Sequence, residues 1–142
     1  NQRLANHGQK DLRLQLRYLV ESENAYVSHF YLLGAIQNLL DNAVKYSGTA
    51  PEVTVICYQK RGTLVIEIRD NGVGIPKKKQ KHIFNKYYQV NKEDPAPGKK
   101  GYGLGLNYVY NVVKAHKGRI TVNSTPGKGS TFTIYIRKWK KK

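Results

Sequence analysis

The sequence predicts an α+β fold: a two-layer α/β sandwich whose mixed, mostly antiparallel sheet carries its helices on one face. Three observations predict it. Short apolar runs with a period of two recur near the beginning, in the middle and at the end of the 142 residues. Two other segments carry apolar residues at helical spacing. The order that results is strand, helix, two strands, long loop, helix, two strands.

Each element has its own signal. Residues 1–11 read as a polar lead-in, 12–138 as the domain and 139–142 as a basic tail. Leu12, Leu14, Leu16, Tyr18 and Val20 alternate with Arg13, Gln15 and Arg17, the pattern of a half-buried strand. Glu21 to Asn24 turn the chain, and Ala25 to Val27 form a short partner strand. Ser28 is placed to cap a helix over about 29–46, which Ser47-Gly48 ends. Val53, Val55 and Cys57, then Leu64, Val65, Ile66 and Ile68, make two antiparallel strands around Arg61-Gly62. That second strand reaches Asp70, where Asn71-Gly72 is the strongest short hairpin signal a sequence offers.

After Pro76 comes a stretch with little apolar periodicity, interrupted by Pro95, Pro97 and Gly98. A loop of about 25 residues in so small a domain reads as a functional lid, here residues 77–100. A second helix runs from Leu104 to His116, with Leu106, Val109 and Val113 as its buried face and Gly118 as its stop. Ile120 and Val122, then Phe132, Ile134 and Ile136, close the domain as a strand pair around Pro126-Gly127.

Composition bounds the function. With 39% apolar and 24% charged residues the chain is globular rather than disordered. No apolar run is long enough to span a bilayer, and no signal peptide opens the chain. The absence of any Met is read as an excised piece of a longer polypeptide. Cys57 cannot form an internal disulfide, because it is the single cysteine, and reads as a core residue in a reducing compartment. Charge is distributed unevenly. Residues 1–76 balance to +1, whereas 77–142 carry 17 basic and 2 acidic side chains, a balance of +15. Such a field attracts polyphosphate, nucleic acid, anionic lipid or an acidic protein, and does not choose among them.

Two segments carry candidate chemistry. In "IQNLLDNAVKYS", Asn38, Asn42 and Lys45 fall on one helical face beside the apolar stripe of Leu32, Ile36, Leu39, Leu40 and Ala43. Asn oxygens and an ammonium in a row suit a hard metal ion and phosphates. A solvated face with an Asp41–Lys45 pair accounts for the same residues and, on this segment alone, is favoured. In "GKKGYGLGLNYV", Gly101, Gly103 and Gly105 precede and enter a helix, offering backbone N–H groups to an anion. No strand runs into these glycines and no Gly-Lys-Ser/Thr follows, which excludes the Rossmann and P-loop patterns.

In order, "NLLDNAVKYS", "DNGVGIP", "IFNKYYQV", "GYGLGL" and "GKGSTF" resemble the N, G1, F and G2 boxes and the terminal Gly-x-Gly-[ST]-x-F element of sensor histidine kinase nucleotide-binding domains. The resemblance covers about residues 12–136 and implies the Bergerat ATP-binding fold, with ATP and magnesium as cofactors. It implies that Asp70 accepts a hydrogen bond from the adenine amino group, that Gly72 and Gly74 let backbone pass beside the base, and that Ile75 packs near it. Asn42 would ligate magnesium with Asn38 in support, Lys45 would contact phosphate and Tyr46 would pack on the base. Gly101, Gly103 and Gly105 would hold the lid's far hinge, Leu104, Gly105 and Leu106 would give N–H groups to the phosphates with Tyr102 also on the nucleotide, Thr131 would join the polar network behind Asp70, and Lys86 would be the lid's phosphate-facing cation. Lys86 stands where members often have Arg, Asn85 where Glu is common and Tyr87 where Phe is usual. On this reading Gly74→Val is expected to spare much of the fold yet abolish ATP binding.

The family's acceptor is a His on a separate dimerisation domain. His7, His29, His82 and His116 all lack its context, so no catalytic residue is assigned in this chain. The implied partners are that dimerisation domain in a homodimeric parent and a downstream response regulator; the implied location is the cytoplasmic part of a membrane-bound bacterial sensor. An anti-sigma-factor-type serine kinase shares the boxes and is the alternative. A basic nucleic-acid-binding module is the alternative from another class, and nucleic acid is the less expected partner.

Overall fold

A computed structural model describes residues 13–19, 29–48, 50–86 and 105–137. Its elements are β1 (Arg13–Leu19), α1 (His29–Lys45), β2 (Glu52–Lys60), β3 (Thr63–Asp70), α2 (Lys77–Gln80), α3 (Gly105–Ala115), β4 (Arg119–Thr125) and β5 (Gly129–Arg137). The five strands form one sheet in the order β1-β2-β3-β5-β4. β1 runs parallel to β2, and every other pair is antiparallel. The mixed, mostly antiparallel sheet of the sequence reading is therefore the observed one. The strand expected at 25–27 and the Ser28 cap lie outside the described residues.

Register decides what faces the helices. Successive strand residues point to opposite faces, and the pairings Val53↔Asp70, Ile66↔Ile134 and Ile68↔Phe132 align one set across the sheet. Val53, Ile66, Ile68, Phe132, Ile134 and Ile136 accordingly form one buried cluster with Leu32, Ala35, Leu39, Ala43 and Val44 of α1 and Val109, Val112 and Val113 of α3. Cys57 packs half-buried against this cluster, and burial pushes its thiol pKa up, as suits a core residue. Gly34 lets the two helices close on each other: a Cβ there would sit 2.8 Å from the Tyr108 hydroxyl.

Four local expectations are corrected. Asn71-Gly72 starts no hairpin, because the neighbours of β3 are β2 and β5. The buried face of α3 is Val109, Val112 and Val113, while Leu106, one turn nearer the helix start, is only partly buried. Residues 77–86 are not featureless: they hold the short α2 and then a turn whose Ile83 is 3% exposed and belongs to the core cluster. α3 is stopped by Lys117, which takes the left-handed conformation at φ 56°, and Gly118 is needed for a different reason. Its N–H bonds the Val113 carbonyl at 2.8 Å, and a Cβ on it would strike the Tyr135 carbonyl.

Candidate functional site

Asp70 ends β3 on the helix-bearing face of the sheet. One carboxylate oxygen, Oδ1, accepts the Gly72 N–H at 2.8 Å and the Ser130 N–H at 3.2 Å. No described residue engages the other, Oδ2. Burial raises the Asp70 pKa, and the two backbone N–H groups oppose that shift by favouring the charged form. Ser130 reaches this position because β5 pairs Ser130 directly with Asp70. Thr131 instead pairs with Arg69, on the other face. The polar support behind Asp70 is thus Ser130 and not Thr131, and the [ST] position of the Gly-x-Gly-[ST]-x-F element pointed to it.

The loop after Asp70 is fastened on three sides. The Val73 N–H bonds the Tyr46 carbonyl at 3.2 Å, tying the loop to the end of α1. The Asn71 side chain accepts the Glu52 N–H at 2.9 Å and donates to the Ala50 carbonyl at 3.2 Å, tying it to the start of β2. The Ser124 hydroxyl accepts the Ile75 N–H at 2.8 Å, lies 2.7 Å from the Ser130 hydroxyl and bonds the Gly129 carbonyl at 3.0 Å. Gln80 completes this third anchor by donating to the carbonyls of Ile75 and Ser124. Asn71, Gln80, Ser124 and Ser130 are site residues that sequence reading missed. Asn71, an amide directly after a carboxylate, carried a local signal, and Ser130 carried one through its motif position, whereas Gln80 and Ser124 carried none.

Gly74 shows why the loop needs glycine. Its φ is 77°, and a Cβ would strike the Thr125 carbonyl, with the Pro126 Cα 2.7 Å away. Gly74→Val therefore strains the contact with the β4–β5 turn as well as the loop, which corrects the expectation that it spares much of the fold. Ser124→Ala is the gentler perturbation. It strands the Ile75 N–H and is expected to cost about 1–2 kcal/mol in urea denaturation.

The amide-bearing helix face lies beside this loop. Asn38 donates its amide to the Gly34 carbonyl at 2.8 Å, and its Oδ1 stands 3.2 Å from where a Cβ on Gly105 would be. The start of α3 therefore abuts the Asn38 oxygen. Asn42 is half-buried one turn on, and no described residue bonds its side chain. Lys45 lies with Nζ 5.5 Å from the Tyr46 ring centroid. Burial lowers the Lys45 pKa and Asp41 partly restores it; burial raises that of Tyr46. Asn38, Asn42, Lys45, Tyr46, Asp70, Gly72, Gly74, Ile75, Gly105 and Leu106 thus belong to α1 and the residue after it, the end of β3 and its following loop, and the start of α3; the loop bonds the end of α1, and α1 meets α3. Gly101, Tyr102, Gly103 and Leu104 lie outside the described residues.

Lys86 is exposed at the end of an anchored turn. The Asn107 amide donates to the Phe84 carbonyl at 3.0 Å, and the Phe84 ring lies 5.8 Å from Tyr110 and 6.2 Å from Phe132. The turn just before Lys86 is therefore clamped to α3 through Asn107 and Tyr110. Among the described residues no group of three His, Cys, Asp or Glu could hold a metal. The oxygen donors of Asn38 and Asn42 suit a hard ion that keeps water and phosphate as its other ligands. His116 caps α3 through Nδ1 at 2.8 Å from the Val112 carbonyl, a structural role.

Comparison with known proteins agrees with this geometry. Residues 31–140 match the family described as histidine kinase-, DNA gyrase B-, and HSP90-like ATPase. The chain is 34% identical over 125 residues to the adaptive-response sensory kinase SasA of Crocosphaera subtropica, covering 87% of this chain and 32% of that protein. It is 40% identical over 106 residues to the sensor-like histidine kinase SenX3 of Mycolicibacterium smegmatis, covering 74% and 27%. The chain thus spans about a third or less of the curated relatives it matches. A solved structure of the mycobacterial sensor histidine kinase MprB superposes with a TM-score of 0.74 at 26% identity, covering 89% of this chain and 84% of that one. Full-length ShkA in complex with AMPPNP superposes at 0.70 and 23% identity, covering 89% and 26%, a likeness of fold.

Proposed function

Since this chain belongs to the histidine kinase-, DNA gyrase B-, and HSP90-like ATPase family, as an ATP-binding catalytic domain of the sensor histidine kinase kind, we propose that it positions Mg-ATP for phosphoryl transfer to a histidine on a dimerisation domain outside residues 1–142. The observation that carries the reading is Asp70. Two backbone N–H groups hold its Oδ1, which leaves Oδ2 as the acceptor for the adenine amino group. Ile75 and Tyr46 flank the base, and Gly72 and Gly74 bring the loop backbone beside it.

Asn42 holds the magnesium ion, whose charge offsets that of the phosphates. Asn38 orients the start of α3, and Lys45 faces the phosphates as a cation. Gly101 to Leu106 border the phosphates, backbone N–H groups from Leu104 to Leu106 receive them, and the helix dipole of α3 adds to their pull. Of the lid expected at 77–100, residues 77–86 are anchored to the domain, which puts Lys86 at its near hinge. Lys86 contacts phosphate as a point charge, since an ammonium lacks the two-pronged geometry of a guanidinium. Positioning and charge stabilisation are what such a domain contributes to phosphoryl transfer.

The acceptor histidine, a homodimeric parent and a response regulator downstream complete the reading. We place the domain in the cytoplasm, as part of a membrane-bound bacterial sensor; among the described residues no helix is long and apolar enough to cross a membrane. Relatives named as sensor kinases favour this over the serine kinase alternative. Calorimetry is expected to show magnesium-dependent ATP binding by the wild-type chain, and absence of binding overturns the reading. With γ-labelled ATP the chain alone is expected to take up no stable label. Label that survives denaturation would place an acceptor within it.

A further inference from the structure

Basic side chains from both halves of the chain also gather away from the nucleotide site. A cleft of about 480 Å³ is lined by Lys60, Arg61, Lys117, Arg119 and Arg137 over a floor that includes Val65 and Tyr135. All five cations are exposed, and none forms an ion pair among the described residues. Register sets Thr63 opposite Arg137 and Val65 opposite Tyr135, which in turn faces Arg119. These residues occupy the sheet face away from the helices. Along β3 they begin seven residues from Asp70, about 23 Å. The cleft is therefore at the other end and on the other face of the sheet from the nucleotide site.

Backbone conformation gives a second, independent observation. Among the described residues only Arg61, at φ 49°, and Lys117, at φ 56°, take positive φ without being glycine. Both line this cleft. Glycine or asparagine would fit these turns with less strain, yet each presents a long cation. Strain at a surface turn points to a use for the side chain it carries.

We infer that this cleft binds an acidic segment of a partner protein, with its carboxylates on the guanidinium groups. Three arginines suit paired contacts to carboxylates. A recess is poorly shaped for a flat bilayer. The Tyr135 ring carries the Arg119 guanidinium 4.4 Å from its centroid, which occupies the stacking surface that single-stranded nucleic acid would use. The inference does not depend on ATP binding.

The test uses the whole chain and a short labelled peptide alternating glutamate and leucine, with its glutamine counterpart, labelled oligo-dT and phosphatidylserine vesicles as comparison probes. The glutamate peptide is expected to bind and the glutamine peptide not to. Lys60→Glu with Arg137→Glu, and separately Arg119→Glu, are expected to weaken peptide binding about tenfold or more. Lys77→Glu with Lys78→Glu, the same charge change on α2, is expected to leave it within about twofold. Melting curves identify which variants fold, and either cleft variant suffices. Equal weakening by the α2 pair, no binding of the glutamate peptide, or tighter use of the same residues by oligo-dT or vesicles overturns the inference.

Discussion

Asp70→Asn is expected to weaken ATP binding about a hundredfold and to leave the fold intact. Asn can still accept the Gly72 and Ser130 N–H groups through Oδ1, so the turn geometry is kept. Its Nδ2 then stands where Oδ2 was and opposes the adenine amino group, donor against donor. A buried donor without an acceptor costs about 1–3 kcal/mol, and the lost contact adds to it, so affinity falls about a hundredfold. Calorimetry reads the loss, and unchanged affinity would remove Asp70 from the site. Stability has a separate signature. Burial raises the folded pKa of Asp70 above 3.8, so the folded state holds the proton more tightly than the unfolded one. Wild-type stability from this group is present below pH 3.8 and declines as pH rises through that value to the raised folded one. The Asn variant has no such decline. Its stability relative to wild type should grow across that window and then level, as urea denaturation at several pH values would show.

Gly129→Ala is expected to have the largest effect on folding. Gly129 has φ 130°, and a Cβ would strike the Asp70 carbonyl, with the Asn71 Cα 3.1 Å away. The disfavoured φ and the overlap together cost about 2–5 kcal/mol. The damage falls where β5 delivers the Ser130 N–H to Asp70, so ATP affinity should drop with stability, in contrast to Asp70→Asn. Urea denaturation with ATP titration under native conditions measures both. A stability within 1 kcal/mol of wild type would show that the strands separate there at little cost.

These contrasts follow from how the site is assembled. Helix α1 and its row of Asn38, Asn42 and Lys45 were legible because helical periodicity is local and needs only a few turns of sequence. The break after Asp70 was legible too, yet its local meaning was misjudged. Asn71-Gly72 has hairpin chemistry, but β3 already has β2 and β5 as neighbours, so the side chain of Asn71 holds the α1–β2 connection instead. Thr131 was misplaced by one residue, and in a strand one residue changes the face.

The sequence by itself determined the strand and helix periods, the order of the boxes and the glycines at which backbone must pass closely. Those are properties of short stretches, set by side-chain spacing and by which backbone angles a residue allows. Tertiary structure alone decided that Ser124 and Ser130 support a loop some 50 residues earlier, that Ile83 and Phe84 clamp the chain before Lys86, and that five cations surround one cleft behind the sheet. Each depends on strand register and on helices closing over one face, which bring together groups that no window of sequence contains.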